Sequence, residues 1–146
     1  MVGILIAILS GLLMSVQGVF NTDVTEHSSL WVANTWVQMT ALAVCLALWG
    51  VTDRSSFALL FEFRPKYVLL GGVIGAFITL TVIKSMDILG PGQAVLFIVI
   101  AQMISAWVIE LAGWFGTEKT DWSVQKLIGM AVAIAGVIIF QWERNS

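Results

Sequence analysis

Residues 30–51 read LWVANTWVQMTALAVCLALWGV, with no Asp, Glu, Lys or Arg among them. Trp31 and Trp49 stand near the two ends. The eighteen residues that separate them span about 27 Å as an α-helix, close to one hydrocarbon thickness of a bilayer. Indole rings favour the membrane–water interface. The stretch therefore reads as a membrane-spanning helix with an aromatic anchor at each end.

Four more apolar runs flank it: Met1–Phe20 before, then Tyr67–Met86, Gln93–Phe115 and Val124–Trp142 after. All five are about 19 to 23 residues long, enough to cross a bilayer. Trp114, Trp122 and Trp142 also fall at predicted ends, whereas Trp36 and Trp107 lie deeper. The connecting segments are Asn21–Ser29, Thr52–Lys66, Asp87–Gly92 and Gly116–Ser123. Gly90-Pro91-Gly92 ends one helix and lets the next begin. The first run has no basic start and no small-x-small cleavage signal, so it reads as a retained helix rather than a signal peptide. Thr52–Lys66 is itself greasy, with Phe57, Leu59, Leu60, Phe61 and Phe63 between Arg54 and Arg64. It reads either as an interfacial segment or as a loop folded against the helix ends.

Composition agrees. Hydrophobic residues make up 59% of the chain and charged residues 11%, against about 25% charged in soluble domains. A chain of this size cannot hide so many apolar groups in its own interior. In a bilayer the backbone must satisfy its own hydrogen bonds, and helices do so. The expected fold is all-α and integral to the membrane: one transmembrane domain over residues 1–146, with five helices at about 1–20, 30–51, 67–86, 93–115 and 124–142.

The same residues exclude several functions. A net charge of −2 offers no basic surface for nucleic acid. Cys45 is the single cysteine and His27 the single histidine. No intrachain disulfide is possible, and a zinc site, which draws on several such ligands, is not expected. No phosphate loop, nucleophile elbow or His–carboxylate set appears. The chain is expected to be no enzyme and to need no metal or cofactor.

Lys and Arg suggest an orientation. With five crossings, Arg54, Arg64, Lys66, Lys119 and Lys126 share the side of the N-terminus, and Lys84 and Arg144 share the other. Five against two places the N-terminus in the cytoplasm by the positive-inside rule.

Polar residues inside the spans are the candidate site. On the first helix Gly3, Ala7, Ser10, Gly11, Met14, Gln17, Gly18 and Asn21 recur every three or four residues, forming one small and polar stripe. The stripe fits a packing seam, or a seam whose polar end, Gln17 and Asn21, also lines a cavity. Asn34 and Gln38 share a face of the second helix with Trp31. Amides at membrane depth need partners, either a neighbouring helix or a polar substrate. On the third helix Gly71 and Gly75 form a GxxxG pair. Lys84 either pairs with Asp87, snorkels to the interface, or reaches inward towards an anion. On the fourth, Gln102 and Glu110 lie about 80° apart around the helix axis, and Trp107 sits one turn before Glu110. Glu110 is the single acid well inside a span, about five residues from the predicted helix end, which makes it a functional candidate. The fifth helix carries Gly129, Ala133 and Gly136, a seam for packing or dimerisation.

Several of these features have a familiar order. Gly11-x5-Gln17-Gly18-x2-Asn21, then Leu89-Gly90, then Gln102-x2-Ser105 with Glu110 and Gly113, then Gly129-x6-Gly136, together resemble the small five-helix YdcZ-type family of the drug/metabolite transporter superfamily. The likeness covers nearly the whole chain. Glu110 stands where that family often has Asp, and Lys84 is a departure from its pattern. The resemblance implies a secondary transporter of the inner membrane, or half of one. Larger relatives pair two inverted five-helix halves, so the implied partner is a second copy or an oppositely oriented paralogue, in an antiparallel dimer. The small multidrug exporters of that superfamily use a first-helix carboxylate, absent from Met1–Phe20, which leaves Glu110 as the coupling candidate. The expected ligand is a small polar or amphipathic molecule, met by Gln17, Asn21, Asn34, Gln38, Lys84, Gln102, Trp107 and Glu110. The alternative is a non-transporting membrane subunit whose amides bond a partner helix.

Overall fold

The computed structural model describes residues 1–142. Six α-helices follow one another: α1 (Val2–His27), α2 (Leu30–Thr52), the single turn α3 (Leu59–Glu62), α4 (Gly71–Leu89), α5 (Pro91–Ala112) and α6 (Val124–Trp142). Short 3-10 turns cover Lys66–Leu70 and Trp114–Gly116. Among the described residues, four stretches are long and apolar enough to span a bilayer: Val2–His27, Leu30–Thr52, Lys66–Leu89 and Pro91–Ala112. The apolar part of α6, Val124–Phe140, is shorter. Arg144, one of the two basic residues expected on the side opposite the N-terminus, lies outside the described residues.

The chain forms two compact units, Met1–Pro91 and a second from Gly92 onward. In the first, α1, α2 and α4 each pack on the other two. Its core is thin: Ala33 and Ile83 are fully buried and Met86 nearly so. Gly18 is what allows α1 its approach to α4. A Cβ at that position would overlap the Met86 side chain and touch Val82. Most other apolar side chains point outward, as expected where lipid is the solvent.

α1 runs seven residues further than Phe20. Asn21–His27 reads as a loop because it is polar, yet the polarity is absorbed by the helix itself. The hydroxyls of Thr22, Thr25 and Ser28 donate to the carbonyls of Gly18, Asn21 and Val24 at 2.9, 2.8 and 2.6 Å. Asp23 and Glu26 therefore stand on the last turns of the first helix. Only Ser28 and Ser29 separate α1 from α2, and the Ser29 hydroxyl accepts from the Val32 amide at 3.2 Å as the N-cap.

After α2 the chain folds back on Trp49. The indole N–H donates to the Ser55 carbonyl at 3.0 Å, and the ring lies 4.9 Å from that of Phe57. That part of Thr52–Lys66 is a loop seated on a helix end. Between α4 and α5 the break is shorter than expected. Gly90, at φ 80°, closes α4, and Pro91 opens α5, where its missing N–H loses nothing.

In the second unit α5 ends at Ala112, three residues before the predicted end, because Gly113 adopts a left-handed φ of 64°. The Gly113 and Thr120 amides both donate to the Glu110 carbonyl, at 3.3 and 3.0 Å. The Leu127 amide donates to the Ser123 carbonyl at 3.2 Å, starting α6. The backbones of α5 and α6 do not approach closely; side chains meet across a groove instead.

Candidate functional site

Within the three-helix unit the polar residues gather on α4. Asn34 Nδ2 donates to the Ala76 carbonyl at 3.3 Å, and Gln38 Nε2 donates to the Thr79 hydroxyl at 3.3 Å. The Thr79 hydroxyl in turn donates to the Gly75 carbonyl at 3.1 Å. Asn34 and Gln38 are one turn apart, and their partners Ala76 and Thr79 are three residues apart, so the two helices are joined at two successive levels.

The joint is incomplete. Asn34 is 8% exposed, and its Oδ1 is buried with no partner. Asn21 on α1 is 7% exposed. Counting back from Ser28 and forward from Ser29 puts Asn21 and Asn34 about 10.5 and 7.5 Å from the same hairpin turn. Two buried amides, one of them with an unused oxygen, thus lie at similar distances from the α1–α2 hairpin turn. A buried amide oxygen without a donor is destabilising, so this layer is chemically ready for a hydrogen-bonding guest.

Gln17 lies on α1, one turn before Asn21, and is exposed. Lys84, near the end of α4, is exposed and donates to Asp87 Oδ2 at 3.0 Å. The ion pair expected from the spacing is present, within one helix. The GxxxG glycines meet nothing: a Cβ on Gly71 or Gly75 would have open space, as would one on Gly3 or Gly11. Of the first helix's small stripe, Gly18 and Asn21 are the buried positions.

In the second unit a groove of about 400 Å³ lies between α5 and α6, lined by Met103, Ala106, Trp107, Gly129 and Met130 with Glu110 and Lys126 at one end. Lys126 Nζ donates to Glu110 Oε2 at 2.9 Å, and both side chains are about half exposed. With α5 ending at Ala112, Glu110 is two residues from the helix end, not five. It belongs to the hairpin rim and not to the depth of the span. Trp107 packs on Trp122 with ring centroids 5.1 Å apart, and its indole N–H is buried without an acceptor. Gln102 is exposed and does not line the groove. Among the described residues no cluster of His, Cys, Asp and Glu is placed to hold a metal.

Thr79, the packing of Trp122 on Trp107 and the pairing of Lys126 with Glu110 are not among the sequence-based expectations. Thr79 had a signal, since it follows Gly75 by one turn. Lys126 had a weaker one: it opens the helix that returns beside the end carrying Glu110. No curated protein and no solved structure matches the chain. With residues 2–139 matched by the family described as "putative inner membrane exporter, YdcZ", and with four apolar helices of spanning length, the chain belongs to that family and is a multi-pass protein of the inner membrane.

Proposed function

We propose that the chain is half of a secondary transporter that exports small polar or amphipathic metabolites, and that it works as an antiparallel dimer with a second copy or an oppositely oriented paralogue. The observation that carries this reading is the layer holding Asn21 and Asn34, two amides about nine-tenths buried, one with an orphaned oxygen. Buried polar groups with unused capacity are uncommon in membrane helices and mark ligand paths. Membership of an exporter family points the same way.

α6 acts as the fifth crossing. Its 19 residues reach about 28 Å as a helix, just enough for a bilayer. Five crossings make each half antiparallel to its partner, which is the geometry of alternating access. Gln17 and Gln102 sit mid-helix and exposed. Amides facing lipid are unfavourable, so a partner half or the substrate path covers them. The open positions at Gly3 and Gly11 suit close approach by another helix. With an oppositely oriented paralogue as partner, the N-terminus of this chain is cytoplasmic; with a second copy, the two N-termini lie on opposite sides. The chemistry is transport without catalysis.

The test is Asn34→Leu in cells that overproduce the chain, read by untargeted metabolite profiling of the medium. The expected result is unchanged membrane abundance with loss of the exported species. Unchanged export removes Asn34 from the path. A second reading, a non-transporting subunit held together by its amides, is favoured by the Asn34–Ala76 and Gln38–Thr79 bonds. It predicts the opposite pattern, in which the variant dissociates or disappears from the membrane.

A further inference from the structure

The groove between α5 and α6 is graded along its length. At its rim stand a carboxylate and an ammonium, Glu110 and Lys126, 2.9 Å apart. One turn further along α5, about 4.5 Å deeper, is Trp107, whose indole N–H lacks an acceptor. A further turn on is Met103, facing Met130 across the groove. Met103 and Met130 also line a second recess with Ile100, Ile104, Ala133 and Ile134, so the apolar floor continues into the span. The rim lies at the ends of two apolar helices, the level at which lipid head groups sit.

We propose that this groove binds a bilayer lipid whose zwitterionic head carries a primary ammonium and a phosphate. The ammonium lies against Glu110 and the phosphate against Lys126, so that four charges alternate. Glycerol ester carbonyls follow the phosphate at the depth of Trp107, where an indole donor needs an acceptor. Reaching that buried N–H requires the Trp107–Trp122 stack to open. An acyl chain then lies along Met103 and Met130, whose flexible thioethers suit an irregular apolar guest. Charge complementarity selects the head. A ligand with one charge would leave Glu110 or Lys126 uncompensated as water is displaced, whereas a net-neutral head compensates both. A primary ammonium brings N–H donors to the carboxylate, which a trimethylated one lacks. This inference needs the chain to be a membrane protein but does not need it to be a transporter.

The test is native mass spectrometry of the purified full chain in detergent. It is titrated with phosphatidylethanolamine, phosphatidylcholine and phosphatidylglycerol of identical acyl chains. Retention of phosphatidylethanolamine is expected to exceed that of phosphatidylcholine by about tenfold, the worth of one charge-assisted hydrogen bond. Glu110→Gln should erase that preference. Gly129→Leu should abolish retention of all three. It leaves the ion pair untouched and directs its side chain into space where a Cβ meets nothing within 4 Å, so it remains informative if Glu110→Gln fails to fold. Equal retention of the ethanolamine and choline lipids overturns the proposal, and so does full retention by Gly129→Leu. Free phosphoethanolamine that competes at the same concentration as the lipid also overturns it, because the site would then belong to a soluble zwitterion and the apolar groove would contribute nothing.

Discussion

The two units solve the same problem in opposite ways. Three helices of the N-terminal unit close on one another through a glycine contact, a few buried apolar residues and two amide bridges. The two helices of the C-terminal unit touch through side chains and one ion pair, and leave a groove. The first is close-packed where it meets; the second is spaced. In a bilayer the hydrophobic effect does not drive helices together, so association depends on packing and on polar partners. A tight seam and an open groove are therefore different investments of sequence, not different degrees of greasiness.

One substitution made twice tests the contrast most severely. Gly18→Leu adds a branched side chain where even a Cβ would displace the thioether end of Met86, itself 3% exposed. Overpacking of this kind destabilises by about 3 kcal/mol. Gly129→Leu enters open space on α6 and replaces a poor helix former by a good one. A thermal melt in detergent should show a large fall for the first and none for the second. Equal falls would mean that the groove is closed in the working protein and that the contrast fails.

Asn34→Leu probes the inside of the tight unit. It removes a bond to the Ala76 carbonyl and, with it, an orphaned oxygen. The two changes oppose each other. A stability change below about 1 kcal/mol is expected. A melt that barely moves while export is lost would show the amide serving a guest and not the fold.

Sequence alone carried the all-helical membrane character, and four helices of spanning length bear it out among the described residues. The cue was length: uncharged runs bounded by tryptophan, such as Leu30–Val51, leave few other structures. Boundaries failed where the reading equated polar with loop. Asn21–His27 stays helical because Thr22, Thr25 and Ser28 bond back to the helix, and that bond is invisible to hydropathy. The expected helix overruns Ala112 as far as Phe115 because Gly113 can either continue a helix or end it, and only its φ decides. Partners were the least legible part. The sequence put Asn34 and Gln38 on one face but could not say that Ala76 and Thr79 lie opposite, since helix pairing depends on rotation about axes that a single sequence does not fix. Glu110 is the clearest case. Its position two residues from the end of α5 and its pairing with Lys126, sixteen residues later, follow from a turn whose path the residue types only suggest.

A double-mutant cycle on Gln38→Leu and Thr79→Val isolates one bridge of the tight unit. The two side chains meet at 3.3 Å, and a coupling of about 0.6 kcal/mol is expected, the typical value between membrane helices. A coupling near zero would shift the weight of that seam onto Gly18 and Ile83.

The smallest effect belongs to the open unit. Glu110→Gln removes the Lys126 ion pair, whose members are each about half exposed. Solvent screening limits such a pair to about 0.5 kcal/mol. The backbone carbonyl of Glu110, which holds Gly113 and Thr120, is kept by the substitution, so the hairpin turn should survive. Raising salt should lower the melting point of the wild type towards that of the variant and leave the variant unmoved, because screened charges lose their attraction. A loss of several kcal/mol, insensitive to salt, would mean that Glu110 and Lys126 are sealed from water by a partner. The open groove would then be an interface, and the difference between the two units would belong to the single chain and not to the assembly.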